Sequence, residues 1–297
     1  MSNAEILGKT AFKSHYLDVF GSKIHYLEEG EGDPILLLHG IPTSSYVWRN
    51  VLPHLTSLGR CIAPDLIGMG KSDKPDIEYS VTDHIKYIEK FIETLKLDRL
   101  TIIMHGFGSI IGFDYAMKHE NKCKGLVFYE AHLRTADNEE LSLPYQEQIL
   151  SLQGQESMND LVTNGASFID KVLPQGMMHV LTDEEMAKYR EPFIEKGSGK
   201  PLYQYVQDLQ ASNDQSKMND IIAGYSKKLM KSKLPKLMLY SVPGFTTTIA
   251  TVMWAKEHLL NLEIVDVGEE LHYAQESNPT LMGEAISIWL QGVEQNV

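Results

Sequence analysis

The chain has 297 residues, 43% hydrophobic and 23% charged, enough to bury one large core and without the bias that marks disorder. Its 27 basic and 40 acidic residues give a net charge of -13, which repels phosphate backbones and anionic lipid. That balance argues against nucleic-acid or membrane partners and for a small, mostly apolar substrate.

The two cysteines, Cys61 and Cys123, have no CxxC spacing and no cluster of histidines, so neither a disulfide framework nor a metal site is expected. No cofactor is implied. The first residues, Met1 to Lys9, lack a basic segment followed by an apolar one, and no apolar run approaches the roughly 20 residues of a spanning helix. The expectation is a cytoplasmic protein, a monomer or weak homo-oligomer.

Along the chain, His15 to Glu29 reads as an amphipathic hairpin that supplies antiparallel edge strands. Ile35-Leu36-Leu37-Leu38 is a wholly apolar run ending in His39-Gly40, as a strand buried on both faces of a parallel sheet would be. Further strands are predicted at Arg60 to Pro64, Leu100 to Met104, Gly125 to Tyr129, Leu237 to Ser241 and Leu262 to Val267. Helical patterns at Val81 to Leu95, Ser109 to Lys118 and Ile249 to Leu259 alternate with them, the signature of a three-layer α/β protein. From His132 to Tyr225 the pattern turns helical, with Thr182 and Glu185 forming a capping box. The expectation is an α/β core of residues 1–131 and 226–297 with a helical cap, 132–225, inserted after the sixth strand.

Thr101 to Ser109 runs a β-branched strand into a tight glycine-rich turn where a nucleophile is expected, yet the apex is Gly106. Strain alone does not explain that glycine, because such elbows hold non-glycine nucleophiles. His39-Gly40-Ile41-Pro42 stands where an oxyanion hole borrows a backbone N–H, from Ile41, and the second donor would be the N–H of Phe107. His272 follows the last strand, where a general base would be delivered. No carboxylate follows Leu237 to Ser241, whose exit reads Val242-Pro243-Gly244-Phe245, whereas Glu130 directly follows Tyr129 and would be costly to bury unpaired. A His272–Glu130 dyad is the natural partnership.

These residues resemble the haloalkane dehalogenase family of the α/β-hydrolase fold. The resemblance lies in His39 to Asn50, Ala63 to Pro75, Tyr189 to Phe193 and Leu271 to Pro279, and spans nearly the whole chain. It implies an eight-stranded, mostly parallel sheet with an inserted helical cap. The placement of Glu130 is similar to a subgroup related to coelenterazine-using luciferases. Family members attack with an elbow Asp, form an alkyl-enzyme ester and hydrolyse it with His-activated water. The resemblance puts Gly106 at that Asp, and Ile41 and Phe107 at the Asn and Trp that hold the leaving halide. The three tryptophans, Trp48, Trp254 and Trp289, leave the cap without a substitute donor.

Ordinary dehalogenation is therefore expected to be absent, since losing the nucleophile and two leaving-group donors each costs orders of magnitude in rate. What remains is a base, its orienting acid and a backbone anion hole. Those suit cyclisation, elimination, lyase chemistry or direct hydrolysis on a small molecule, of the kind found in secondary metabolism. Ile41, Phe107, His132, Arg134 and Phe245 are the candidate pocket residues, with His132 and Arg134 placed to bind a carboxylate or polarise a carbonyl. The alternatives are a non-catalytic binding protein and a mutated dehalogenase.

Overall fold

A computed structural model describes residues 12–135, 142–152, 161, 163–210 and 216–295. Met1 to Lys9, the stretch without a leader pattern, lies outside the described residues.

Eight strands form one sheet: β1 Lys13–Val19, β2 Ser22–Glu29, β3 Pro34–Leu38, β4 Arg60–Pro64, β5 Leu100–His105, β6 Cys123–Tyr129, β7 Lys236–Pro243 and β8 Leu262–Glu270. Their order is β1-β2-β4-β3-β5-β6-β7-β8, with β1 and β2 antiparallel at one edge and parallel pairing from β4 to β8. The predicted strands all form, with ends shifted by a few residues. All of β5 and nearly all of β3 are buried, which is why they read as unbroken apolar runs rather than alternating ones. Each fully buried Leu, Ile or Phe contributes about 1.5–3 kcal/mol, so this central layer dominates the stability.

Helices α1 Val81–Thr94 and α2 Phe107–Lys118 flank the sheet, and Ser80 caps α1 in a capping box with Asp83. After β6 come α3 Leu143–Ser151, α4 Gly165–Gln175, α5 Asp183–Arg190, α6 Lys200–Gln210 and α7 Lys217–Leu229. Thr182 and Glu185 make the predicted capping box of α5. Helix α7 runs through residue 225, where the sequence pattern suggested that the cap ends. Tyr225 packs against Phe113 of α2 with ring centres 5.5 Å apart, so the apolar face of α7 belongs to the layer covering the sheet. The chain closes with α8 Ile249–His258, the short α9 Ala274–Ser277 and α10 Pro279–Gln295.

Among the described residues no helix is long and apolar enough to cross a membrane, and no cluster of His, Cys, Asp or Glu could hold a metal ion. Cys61 is buried and Cys123 half-buried, both as free thiols.

Candidate active site

The turn from β5 into α2 is the centre of the site. Gly106 takes φ 50°, ψ -125°, a conformation that only glycine adopts without strain. A Cβ built there would lie 3.2 Å from His272 Nε2 and 3.7 Å from the Cα of Gly40. The apex thus aims at an imidazole across a gap that no side chain fills. Gly108 lets the turn close on β3, since a Cβ there would meet the His39 carbonyl at 2.5 Å. Ser109 is held structurally: its hydroxyl donates to the Gly106 carbonyl at 2.6 Å and accepts from the N–H of His132 at 2.9 Å.

His272 comes from the loop after β8, as the sequence suggested, and its Nδ1 lies 3.0 Å from Glu130 Oε2. Glu130 sits at the end of β6 with φ +50°. Its carboxylate accepts the N–H groups of Phe245 at 3.2 Å, Thr246 at 2.5 Å and Thr247 at 3.3 Å. The exit of β7, which lacks a carboxylate of its own, supplies the donors instead. Two further contacts fix the base: His105 Nε2 bonds the His272 carbonyl at 2.9 Å, and the His272 N–H donates to Gly176 O at the end of α4 at 2.8 Å. Arg49 ties this loop to the cap, with its guanidinium 2.5 and 2.7 Å from the carboxylate of Glu276 and 2.9 Å from Glu185 at the start of α5. Tyr189 donates to the same Glu276.

Burial pushes the Glu130 carboxyl up to about 8, although its backbone donors pull the other way, and burial lowers His272 to about 3. Both shifts favour the uncharged forms, so the carboxyl keeps its proton up to about 8. While that proton lies between Oε2 and Nδ1 with Glu130 neutral, Nε2 carries hydrogen and is no base. Once it leaves, Glu130 is a carboxylate, the Nδ1–H donates to it, and Nε2 presents a lone pair over Gly106.

The N–H groups of Ile41, which lines the cavity with Gly106, and of Phe107, the residue after Gly106, have no protein acceptor among the described residues. Phe107 begins α2, so its N–H also carries the positive end of the helix dipole.

A narrow cavity opens over Gly106. Ile41, His132, Phe245 and His272 line it, as expected from the sequence, together with Tyr145, Gln148, Phe168, Tyr205, Thr246 and Tyr273. Two candidates are corrected. The Phe107 ring does not line the cavity but packs between His84 at 5.2 Å and Tyr205 at 5.5 Å, because the first turn of α2 is covered by the cap. Arg134 does not line it either; its guanidinium lies 5.0 Å over the ring of Trp254, a cation–π contact that holds it elsewhere. Burial lowers His132 to about 4, so it faces the cavity as a neutral ring.

Sequence reasoning missed the tyrosines. Tyr273 neighbours the base in the chain and could have been named, but Tyr145 and Tyr205 lie on α3 and α6, and nothing local shows which face of a cap helix meets the core.

Residues 33–172 match the α/β-hydrolase-fold family. A haloalkane dehalogenase of Sphingobium indicum is 35% identical over 96% of this chain and 98% of its own length. One of Agrobacterium fabrum is 30% identical over 96% of this chain and 93% of its own. Among solved structures, the haloalkane dehalogenase DbeA from Bradyrhizobium elkani superposes with a TM-score of 0.91 at 29% identity, covering 97% of this chain and 100% of that one. DatA from Agrobacterium tumefaciens gives 0.88 at 29% identity, covering 95% and 97%.

Proposed function

The chain belongs to the haloalkane dehalogenase family of the α/β-hydrolase fold, and from that premise we propose that it is an enzyme whose His272 acts as a general base without a covalent enzyme intermediate. The carrying observation is the 3.2 Å between His272 Nε2 and the position where a Cβ would stand on Gly106. The place from which a relative's side chain would attack is here free for a water molecule or a reacting part of the substrate. Ser109 does not substitute, being committed to Gly106 and His132.

In this reading, a substrate carbonyl lies with its oxygen toward the N–H groups of Ile41 and Phe107. Nε2 takes a proton either from water, which then attacks the carbonyl carbon, or from a carbon or hydroxyl of the substrate itself. The charge that develops on oxygen is met by the two N–H groups, and Glu130 stabilises the imidazolium. Direct hydrolysis, elimination and cyclisation share this first step. Conventional halide displacement does not, because it needs a carboxylate at the apex.

The test compares His272→Ala with the parent on a panel of 4-nitrophenyl esters and neutral carbonyl compounds, alongside halide release from 1-bromobutane. A positioned base contributes about 10²–10⁴-fold, so the variant should lose that much of any turnover. Turnover unaffected by His272→Ala, or halide release at rates like those of its relatives, would refute the proposal. Ligand binding with no turnover of any compound would favour the non-catalytic alternative.

A further inference from the structure

Away from the cavity over Gly106, a serine, a histidine and an aspartate stand in line at the β1 edge of the sheet. Ser14 lies on β1, His25 on β2 and Asp65 directly after β4. Ser14 Oγ is 2.5 Å from His25 Nε2, and His25 Nδ1 is 2.7 Å from Asp65 Oδ2. The register produces this line. Tyr16 pairs with His25, so Ser14, two residues earlier, projects from the same face one step along the strand. Tyr26 pairs with Pro64, which brings Asp65 beside His25, and the Asp65 N–H donates to the His25 carbonyl at 2.8 Å.

The acid is held from several sides. Besides His25, its carboxylate accepts the N–H groups of Ser45 at 2.7 Å and Lys71 at 2.8 Å. The turn at Gly70 comes so near that a Cβ there would lie 2.2 Å from Oδ2. Ser72 Oγ receives the His25 N–H at 3.0 Å and donates to the Asp65 carbonyl at 2.7 Å, which locks the two backbones together. A carboxylate accepts the Nδ1–H, so Nε2 is the acceptor and the Ser14 hydroxyl the donor. His25 and Asp65 are buried, whereas Ser14 is exposed. A buried acid orienting a histidine toward a hydroxyl that solvent can reach is the arrangement that activates a serine.

We propose that Ser14 is a second nucleophile, which takes the acyl group of activated esters independently of His272. Ser14 Oγ attacks the acyl carbon while its proton passes to His25 Nε2. The new C–O bond forms, the bond to the leaving oxygen breaks, and the leaving group departs with the electron pair, the imidazolium returning its proton to it or to water. Water deprotonated by the same nitrogen then attacks the acyl-serine, releasing the acid and restoring Ser14. No strand pairs with the outer side of β1 among the described residues. The outward backbone N–H therefore belongs either to Ser14 or to its neighbours Lys13 and His15, and it can meet the developing oxyanion. With so few donors the leaving group decides the substrate, and good ones such as 4-nitrophenolate are favoured.

Diisopropyl fluorophosphate tests the nucleophile without turnover: Ser14 Oγ displaces fluoride at phosphorus, its proton passes to His25, and the adduct remains. The full-length parent, Ser14→Ala, His25→Gln and His272→Ala are treated and mapped by peptide mass spectrometry, with the exposed Ser57 as internal reference. The parent should gain an adduct on Ser14 at least about 10²-fold faster than on Ser57, the contribution of a positioned base. His25→Gln should slow that adduct by about the same factor, and Ser14→Ala should abolish the fast phase. His272→Ala should label like the parent, which separates this site from the one over Gly106. If His25→Gln does not fold, the ratio of Ser14 to Ser57 within the parent carries the test. No adduct on Ser14, one formed no faster than on Ser57, or one that His25→Gln leaves unchanged would overturn the proposal and leave Ser14 as a hydrogen-bond partner of His25 alone.

Discussion

Replacing Glu130 by Gln tests the dyad more sharply than removing either partner, because the consequences for stability and rate have opposite signs. Glu130 is fully buried and pushed from its ordinary 4.5 up to about 8. Folding therefore has to keep it protonated, or ionise it at a cost, over that whole interval. At about 1.4 kcal/mol per pH unit, the cost at pH 8 is about 5 kcal/mol. The sign is that of an acid with a raised folded value: stability is lost as pH rises from 4.5 to 8. Gln never ionises and avoids this cost. It introduces another, because an amide nitrogen in place of Oε2 leaves the Thr246 N–H, now 2.5 Å from that oxygen, without an acceptor. An unsatisfied buried N–H costs about 1–3 kcal/mol.

Glu130→Gln should accordingly be less stable than the parent at pH 5, by about 1–2 kcal/mol, and more stable at pH 8, by about 2–4 kcal/mol. Urea denaturation at the two pH values measures both, and thermal midpoints should move by about 2–4 °C per kcal/mol. Activity should move the other way. The Gln amide donates to Nδ1 and fixes the tautomer with hydrogen on Nε2, so at pH 8 and above turnover should fall about 10²–10⁴-fold. A variant less stable than the parent at both pH values would show that Glu130 is not held neutral, and one that kept its activity would remove the dyad from the mechanism.

The remaining predictions use the same groups. Because the pair must lose its proton before Nε2 becomes a base, kcat/KM on any substrate found should rise with pH and level off near 8; a profile flat from about pH 6 to 9 would contradict this. Gly106→Ala places a methyl 3.2 Å from Nε2 on a residue with φ +50°, which should cost about 1–2 kcal/mol of stability and at least tenfold in rate; unchanged kinetics would show that the gap is not where the reaction occurs. His39, His84, His105 and His132 are lowered below their ordinary 6.5 by burial, His84 to about 3, His132 to about 4 and His105 far down, while the His272–Glu130 pair binds about one proton folded or unfolded near pH 5. Unfolding at pH 5 should then take up about three to four protons, and stability should fall by about 4–5 kcal/mol per pH unit as pH drops, read as urea-denaturation free energies at about pH 5.0 and 5.5; a slope below one proton would refute it.

Much of the fold was legible because the parallel strands are short and buried on both faces. Leu36, Leu37 and Leu38 could be nothing else once His39-Gly40 ended the run. Gly106, Glu130 and His272 were legible for a related reason: each stands at the end of a strand, and strand ends converge on one side of a parallel sheet. Where a side chain points from a helix or a loop was not legible. Arg134 follows Glu130 by four residues but stacks on Trp254, and Phe107 gives the site its N–H while its ring is taken up by His84 and Tyr205. Tyr145 and Tyr205 line one cavity from α3 and α6, a placement set by how two helices pack and not by the spacing within either.

The cost of burying Glu130 bears on whether the site is catalytic. A binding protein would gain nothing from a carboxyl that loses stability across the neutral pH range, when an apolar residue of similar volume would pack there without that loss. Three successive N–H groups of the β7 exit nevertheless point at the oxygens of Glu130 and partly offset the cost of ionising it, and the residue itself is held at a positive φ. Those donors serve the carboxylate, and the carboxylate serves the Nδ1–H tautomer that frees Nε2. Nε2 in turn faces the apex from which a side chain would otherwise exclude water and substrate. A stability cost concentrated on a single tautomer of a single histidine, opposite a glycine in an elbow conformation, is what the proposed role of that nitrogen as a proton acceptor would account for.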